Sequence, residues 1–123
     1  MTTPDLLHEA LLGEAAESAF FAISVYDDDG RMVAVNKRAA ELLGVRRDEL
    51  LSYDVGAFTA GGFDRTRLFS QEMREGVRLV EQRDGTRVPV AFVVAPATLS
   101  GLPYFVAVWW QLPEGDPRAD SAF

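Results

Sequence analysis

The chain has 123 residues, is 48% hydrophobic, carries a formal charge of −7 and contains no cysteine; at this length it buries about two thirds of its unfolded surface, enough for one core and not two. The acidic balance argues against a phosphate-binding surface, and so against nucleic acid as a partner, while the lack of cysteine excludes disulfides, thiolate metal sites and cysteine nucleophiles. No apolar run approaches a membrane span and no Lys or Arg precedes Arg31, so neither a membrane segment nor a signal peptide is predicted, and a cytoplasmic location is expected.

In chain order, Thr3-Pro4-Asp5 reads as a helix start. Thr3 suits the N-cap, Pro4 the first helical position, and Asp5 complements the dipole. Leu7, Ala10, Leu11 and Ala15 then share one face of a helix expected within residues 1–19, an apolar stripe that needs a surface to lie on. His8, the single histidine, reads as a surface residue of that helix rather than a ligand.

Phe21 to Tyr26 alternates large apolar residues with small or polar ones, the period of a strand. Asp27-Asp28-Asp29-Gly30 stops it, and Asp-Gly favours a hairpin because both residues tolerate positive φ. Three consecutive carboxylates before a glycine read as a solvated turn rather than a calcium loop, which alternates its ligands and adds a distal glutamate. Met32–Val35 is the return strand. Asn36 then caps a helix over Lys37–Leu43, and Gly44 ends it in the left-handed conformation. A second short helix is predicted over Val45–Leu51, with Asp48 and Glu49 in its early turns and Leu50 and Leu51 toward the core.

Gly56 to Gly62 is a glycine-rich connection, and a helix from about Asp64 to Glu75 presents Leu68, Phe69 and Met73 at one spacing. Three strands follow. Val77–Arg83 turns at Asp84-Gly85 into Val88–Ala95, and Tyr104–Gln111 returns after a loop over Thr98–Pro103. Pro89 cannot donate to a ladder and belongs near a strand start or a bulge. The tail after Leu112, residues 113–123, is polar and rich in Pro and Gly, the composition of disorder.

The ordered set DDDGR-x-V-x-VN-x-x-AAELLGV-x-RDELL, then RDGTRVPV and PYFVAVWW, closely resembles a PAS domain over roughly Phe20 to Leu112. The resemblance implies an α+β fold, a five-stranded antiparallel sheet with short helices on one face and an N-terminal helix on the other. It also implies a signalling module whose sheet folds around a small pocket. Two departures stand out: Arg46 occupies the position where the family has a Ser or Thr helix cap, and Gln111-Leu112-Pro113 replaces the Asp-Ile-Thr that leads into an effector. The chain is thus either free-standing or cut from a larger protein with an effector domain.

By this resemblance Val90, Phe92 and Val94 face the cavity, and the alternation turns Phe105, Ala107 and Trp109, with Ala22, Ser24 and Tyr26, the same way. The expected pocket adds Val55, Phe58, Leu68, Phe69, Met73 and Val80, with Ser24, Tyr26 and Arg78 as its polar groups. Arg78 in an apolar cavity wants an anion, and the competing reading is that it snorkels out at the sheet edge. The pocket helix of haem-binding members carries a histidine that is missing between Phe63 and Glu75, and the reactive cysteine of the light-sensing branch is replaced by Val55. Haem and a covalent flavin adduct are therefore not expected, while a non-covalent flavin or small organic ligand stays open.

Phe21, Ile23, Val25, Val106, Val108 and Trp110 fall on the outer face, a patch larger than a monomer usually exposes. Two covers fit it equally: the chain's own N-terminal helix, or a second copy in a homodimer contacting through Leu7, Leu11, Ile23, Val106, Val108 and Trp110. No nucleophile–histidine pair, metal-ligand cluster or phosphate loop is present, so no enzyme is predicted. The sequence leaves two functions: a sensor for a small apolar or weakly acidic ligand, or a docking module whose pocket is filled by its own side chains. Trp109 discriminates between them, since an inward indole uses the cavity volume.

Overall fold

The computed structural model describes residues 3–50 and 74–121. Helix α1 (Thr3–Glu17) leads into a hairpin of β1 (Ala22–Asp27) and β2 (Met32–Val35), then α2 (Lys37–Leu43) and α3 (Arg47–Leu50). A meander of β3 (Arg74–Glu81), β4 (Arg87–Leu99) and β5 (Leu102–Gln111) follows, with a 3-10 helix at Pro117–Ser121. The strands form one antiparallel sheet in the order β2-β1-β5-β4-β3. This is the expected α+β architecture, and it brings the first and last strands of the sheet together, Ala22 opposite Trp109 through Asp27 opposite Tyr104.

Alternation sorts the two faces. Ala22, Ser24 and Tyr26 of β1, and Phe105, Ala107 and Trp109 of β5, are buried, while Ile23, Val25, Val106, Val108 and Trp110 between them are only partly covered. The buried set forms the core with Ala39, Leu42, Leu43 and Leu50 from α2 and α3. Burying one such leucine contributes about 1.5–3 kcal/mol, so the face under these helices carries most of the apolar stabilisation.

Helix α2 follows its local signals. The Asn36 side chain accepts the Ala39 N–H, and Gly44 takes φ 73, donating its N–H to the carbonyls of Ala40 and Glu41. The remaining carbonyls are closed from far away in sequence: the Arg83 N–H donates to Leu43 and the Gln82 side-chain amide to Leu42. The shorter α3 starts after Arg46, whose carbonyl accepts the N–H groups of Glu49 and Leu50. In place of a hydroxyl cap, the Arg46 guanidinium bonds the Glu49 carboxylate at 2.9 Å.

Several local expectations are corrected. In the aspartate loop only Gly30 takes a positive φ, and the Asp27 carboxylate closes the turn by accepting the N–H groups of Asp29 and Arg31. Arg74 and Glu75 begin a strand and not the end of a helix, and the strand stops at Glu81 rather than Arg83. The loop expected over Thr98–Pro103 is a two-residue turn, because the ladder continues through Thr98 opposite Pro103 and Leu99 opposite Leu102. Residues 113–121 are not featureless: Asp116 donates back to Pro113 and holds Arg118 through its carboxylate, and the 3-10 helix follows. Pro89 lies near the start of β4, where its carbonyl accepts Leu112 N–H on the β5 side and its missing N–H interrupts no bond to β3.

Helix α1 does not bury its stripe on the chain's own sheet. Leu7 and Leu11 are 59% and 56% exposed, and Leu6 and Leu12 beside them are equally open.

Candidate functional site

The face of the sheet under α2 and α3 brings together most of the described residues expected at a pocket. Ser24, Tyr26, Val80, Val90, Val94, Phe105 and Trp109 are buried there, and Phe92 packs against them. Arg78 stands directly opposite Val90, so it shares this face, half-buried on the edge strand β3. Val55, Phe58, Leu68, Phe69 and Met73 lie outside the described residues.

The polar groups of this face are joined to one another. The Trp109 indole N–H donates to Ser24 Oγ at 3.1 Å, and the Ser24 hydroxyl also bonds the Tyr26 phenol. Desolvation pushes the Tyr26 pKa up to about 12, an effect the Ser24 bond partly offsets. Tyr26 is therefore a neutral hydrogen-bonding group at physiological pH. Phe92 lies beside Trp109 across the β4–β5 ladder, and its ring runs over Gly76, where an added Cβ would stand 3.1 Å from the ring edge.

Asn36 has a larger part than the cap read from the sequence. Its Oδ1 also accepts the Ile23 N–H at 2.9 Å, and its amide donates to the carbonyls of Ala16 at 2.8 Å and Phe21 at 2.9 Å. A buried asparagine that uses two acceptor and two donor positions ties three elements at one atom group. The sequence signal was the local one alone, Asn before a helix.

On the solvent side of α2 and α3 there is an open depression of about 810 Å³, lined by Lys37, Glu41, Arg46, Arg47, Asp48, Glu49 and Arg83 around Ala40 and Val45. Glu49 bridges Arg46 and Arg83 there, which holds its carboxyl below the usual range, chiefly through the bond from Arg46. Arg47 pairs with Glu17 of α1. The three arginines are thus shared among neighbouring carboxylates, and this part of the depression is a salt-bridged surface. Asp27, Asp28 and Asp29 place carboxylate oxygens within 4.8 Å of one another, with Asp27 engaged by its own turn.

The outer face is apolar across Ile23, Val25, Val93, Val106, Val108 and Trp110, with Glu75 opposite Val93 on the edge strand β3. Phe21 meets Trp110 edge-on at 6.0 Å and Phe20 at 6.1 Å, with the Arg38 guanidinium 5.5 Å over the Phe20 ring. By parity Leu99 and Leu102 continue this face at the far tip, and both are exposed.

The PAS domain family model matches residues 18–109. Among solved structures, the chain is similar to the PAS domain of an HTR-like protein from Haloarcula marismortui, at 29% identity and a TM-score of 0.78, covering 87% of this chain and 99% of that one. A domain of a sensory box sensor histidine kinase/response regulator from Geobacter sulfurreducens shares the fold at 22% identity, with a TM-score of 0.73 over 89% of this chain and 98% of that one. An RNA-binding light-oxygen-voltage receptor does so at 19% identity, with a TM-score of 0.81 over 98% of this chain and 38% of that one. No curated protein matches the sequence. With the family model reaching from before β1 to Trp109 within β5, and a five-stranded antiparallel sheet in the order β2-β1-β5-β4-β3, the chain belongs to the PAS domain family.

Proposed function

We propose that this PAS domain is a signalling sensor that works as a homodimer and takes a small apolar or weakly acidic ligand under α2 and α3. The observation that carries the dimer is the pairing of an apolar outer sheet face with a leucine-bearing helix left open beside it. Trp110, edge-on to Phe21, is the anchor of such an interface.

The ligand's body would lie among Val90, Phe92, Val94 and Phe105, with a carboxylate or carbonyl toward Arg78. The chain has no cysteine, so a flavin could be held only without a cysteinyl bond, and haem is outside the proposal. A soluble cytoplasmic role beside an effector domain or protein fits this reading; no helix among the described residues is long and apolar enough to cross a membrane.

One observation favours the second reading, a docking module with a self-filled pocket. Trp109 points inward and spends its N–H on Ser24, and Ser24 also engages Tyr26, so two of the three expected polar handles serve the core. Mass spectrometry of the protein as purified, under native and denaturing conditions, separates the readings. A dimer that releases a small molecule on denaturation supports the sensor; a dimer without one, and without a thermal shift from fatty acids, aromatic acids or flavins, supports the docking module. A monomer at high concentration overturns both.

A further inference from the structure

Helix α1 is exposed along residues 5–15, yet its last turn is held in place. Two polar contacts reach that turn, the Asn36 amide on the Ala16 carbonyl and the Arg47 guanidinium on the Glu17 carboxylate. Both come from the segments that close the inner face: Asn36 is the N-cap of α2, and Arg47 opens α3. The same two helices insert Ala39, Leu42, Leu43 and Leu50 into the core above the sheet.

We propose that Asn36 and Arg47 form a joint that passes displacements of α2 and α3, caused by any change of occupancy of the inner face, to the exposed helix α1. The joint rests on the sensor reading for its use, while its mechanics are intramolecular. Asn36 suits the task because it satisfies four groups at once. A serine or aspartate could keep the cap of α2, but neither donates two N–H bonds to the Ala16 and Phe21 carbonyls. The opposite end of α2 is clamped by Gln82 and Arg83 from the β3–β4 turn, so a volume change beneath the helix reaches α1 through the N-terminal end, where Asn36 also bonds Ile23 and Phe21. That end is where α1 is attached. A packed, fully bonded contact with few alternative arrangements transmits a shift instead of absorbing it.

Amide NMR of the full chain tests the joint. Leu43→Val trims the inner surface of α2 and should shift resonances of α2 and, through the joint, those of residues 14–19. In an Arg47→Glu background, and in Asn36→Asp, which keeps both acceptor positions but turns an oxygen toward the two carbonyls, the α2 shifts should remain. Those of residues 14–19 should fall by a factor of about three or more. Glu17→Arg combined with Arg47→Glu should restore them. Should Asn36→Asp not fold, Arg47→Glu, at a half-exposed position, carries the test with its charge-swap partner. Shifts in residues 14–19 that persist undiminished in the Arg47→Glu background, or that are missing from Leu43→Val in the unmodified background, overturn the proposal. Sedimentation of each variant reports dimerisation separately, so a failed joint in an intact dimer is told apart from a failed dimer.

Discussion

Burial changes the chemistry of Tyr26 more than that of any other described side chain whose titration is shifted. Its phenol ionises at about 12 in the fold, against about 10 when the chain is unfolded. A raised folded-state value means that the stabilisation is complete below pH 10 and is lost as pH climbs through 12. Two units correspond to about 3 kcal/mol, so denaturant unfolding should show the wild type losing up to that amount over this interval relative to Tyr26→Phe. Superimposable alkaline curves for the two proteins would contradict the buried, protonated phenol. Gly76 gives a second residue-scale test. An alanine there would press on the Phe92 ring at 3.1 and 3.2 Å, in a strand where glycine is otherwise a poor choice. Gly76→Ala should destabilise by about 1 kcal/mol, and the same change made in Phe92→Leu should stabilise, a reversal measurable by thermal unfolding.

At the scale of elements, turn chemistry was legible where a turn is closed by its own residues. Asn36 and Gly44 bracket α2 at the positions read from the sequence, because cap and stop act within one turn of helix. The β4–β5 connection was misread for a physical reason. Ser100-Gly101 and Pro103 together suggest a loop, but Ser100 at φ 52 and Gly101 at φ 78 make a tight turn by themselves, and the ladder runs to Leu99 and Leu102 with Pro103 inside it. Serine is strained at a positive φ that asparagine tolerates better. Ser100→Asn should therefore raise stability by about 0.5 kcal/mol, with the unfolding midpoint moving and the denaturant slope unchanged.

For the whole molecule, the open question of α1 and the outer sheet becomes a single measurement. If a second copy covers that face, the leucines of α1 and Trp110 lose water together, and a charge at either position must be desolvated without a partner. Leu11→Glu and Trp110→Glu should each weaken association by at least about tenfold, and together give a folded monomer in sedimentation velocity. A dimer that survives both changes would place the interface elsewhere.

The sequence by itself determined the fold class and the family through the ordered motifs by which it resembles a PAS domain, and the strands, turns and caps through period-two alternation and local turn chemistry. It also identified Ser24, Tyr26, Phe92, Phe105 and Trp109 as one face, because parity along paired strands needs only the register. Tertiary structure alone decided how those side chains engage one another: Trp109 meets Ser24 across 85 positions of chain, and the C-terminal end of α2 is closed by a residue 40 positions downstream. Hydrogen-bond partners at such separations are chosen by sheet order and packing, which have no signature in any local window. The second life of Asn36, holding Ala16 and Phe21 as well as the helix it begins, belongs to the same class of fact.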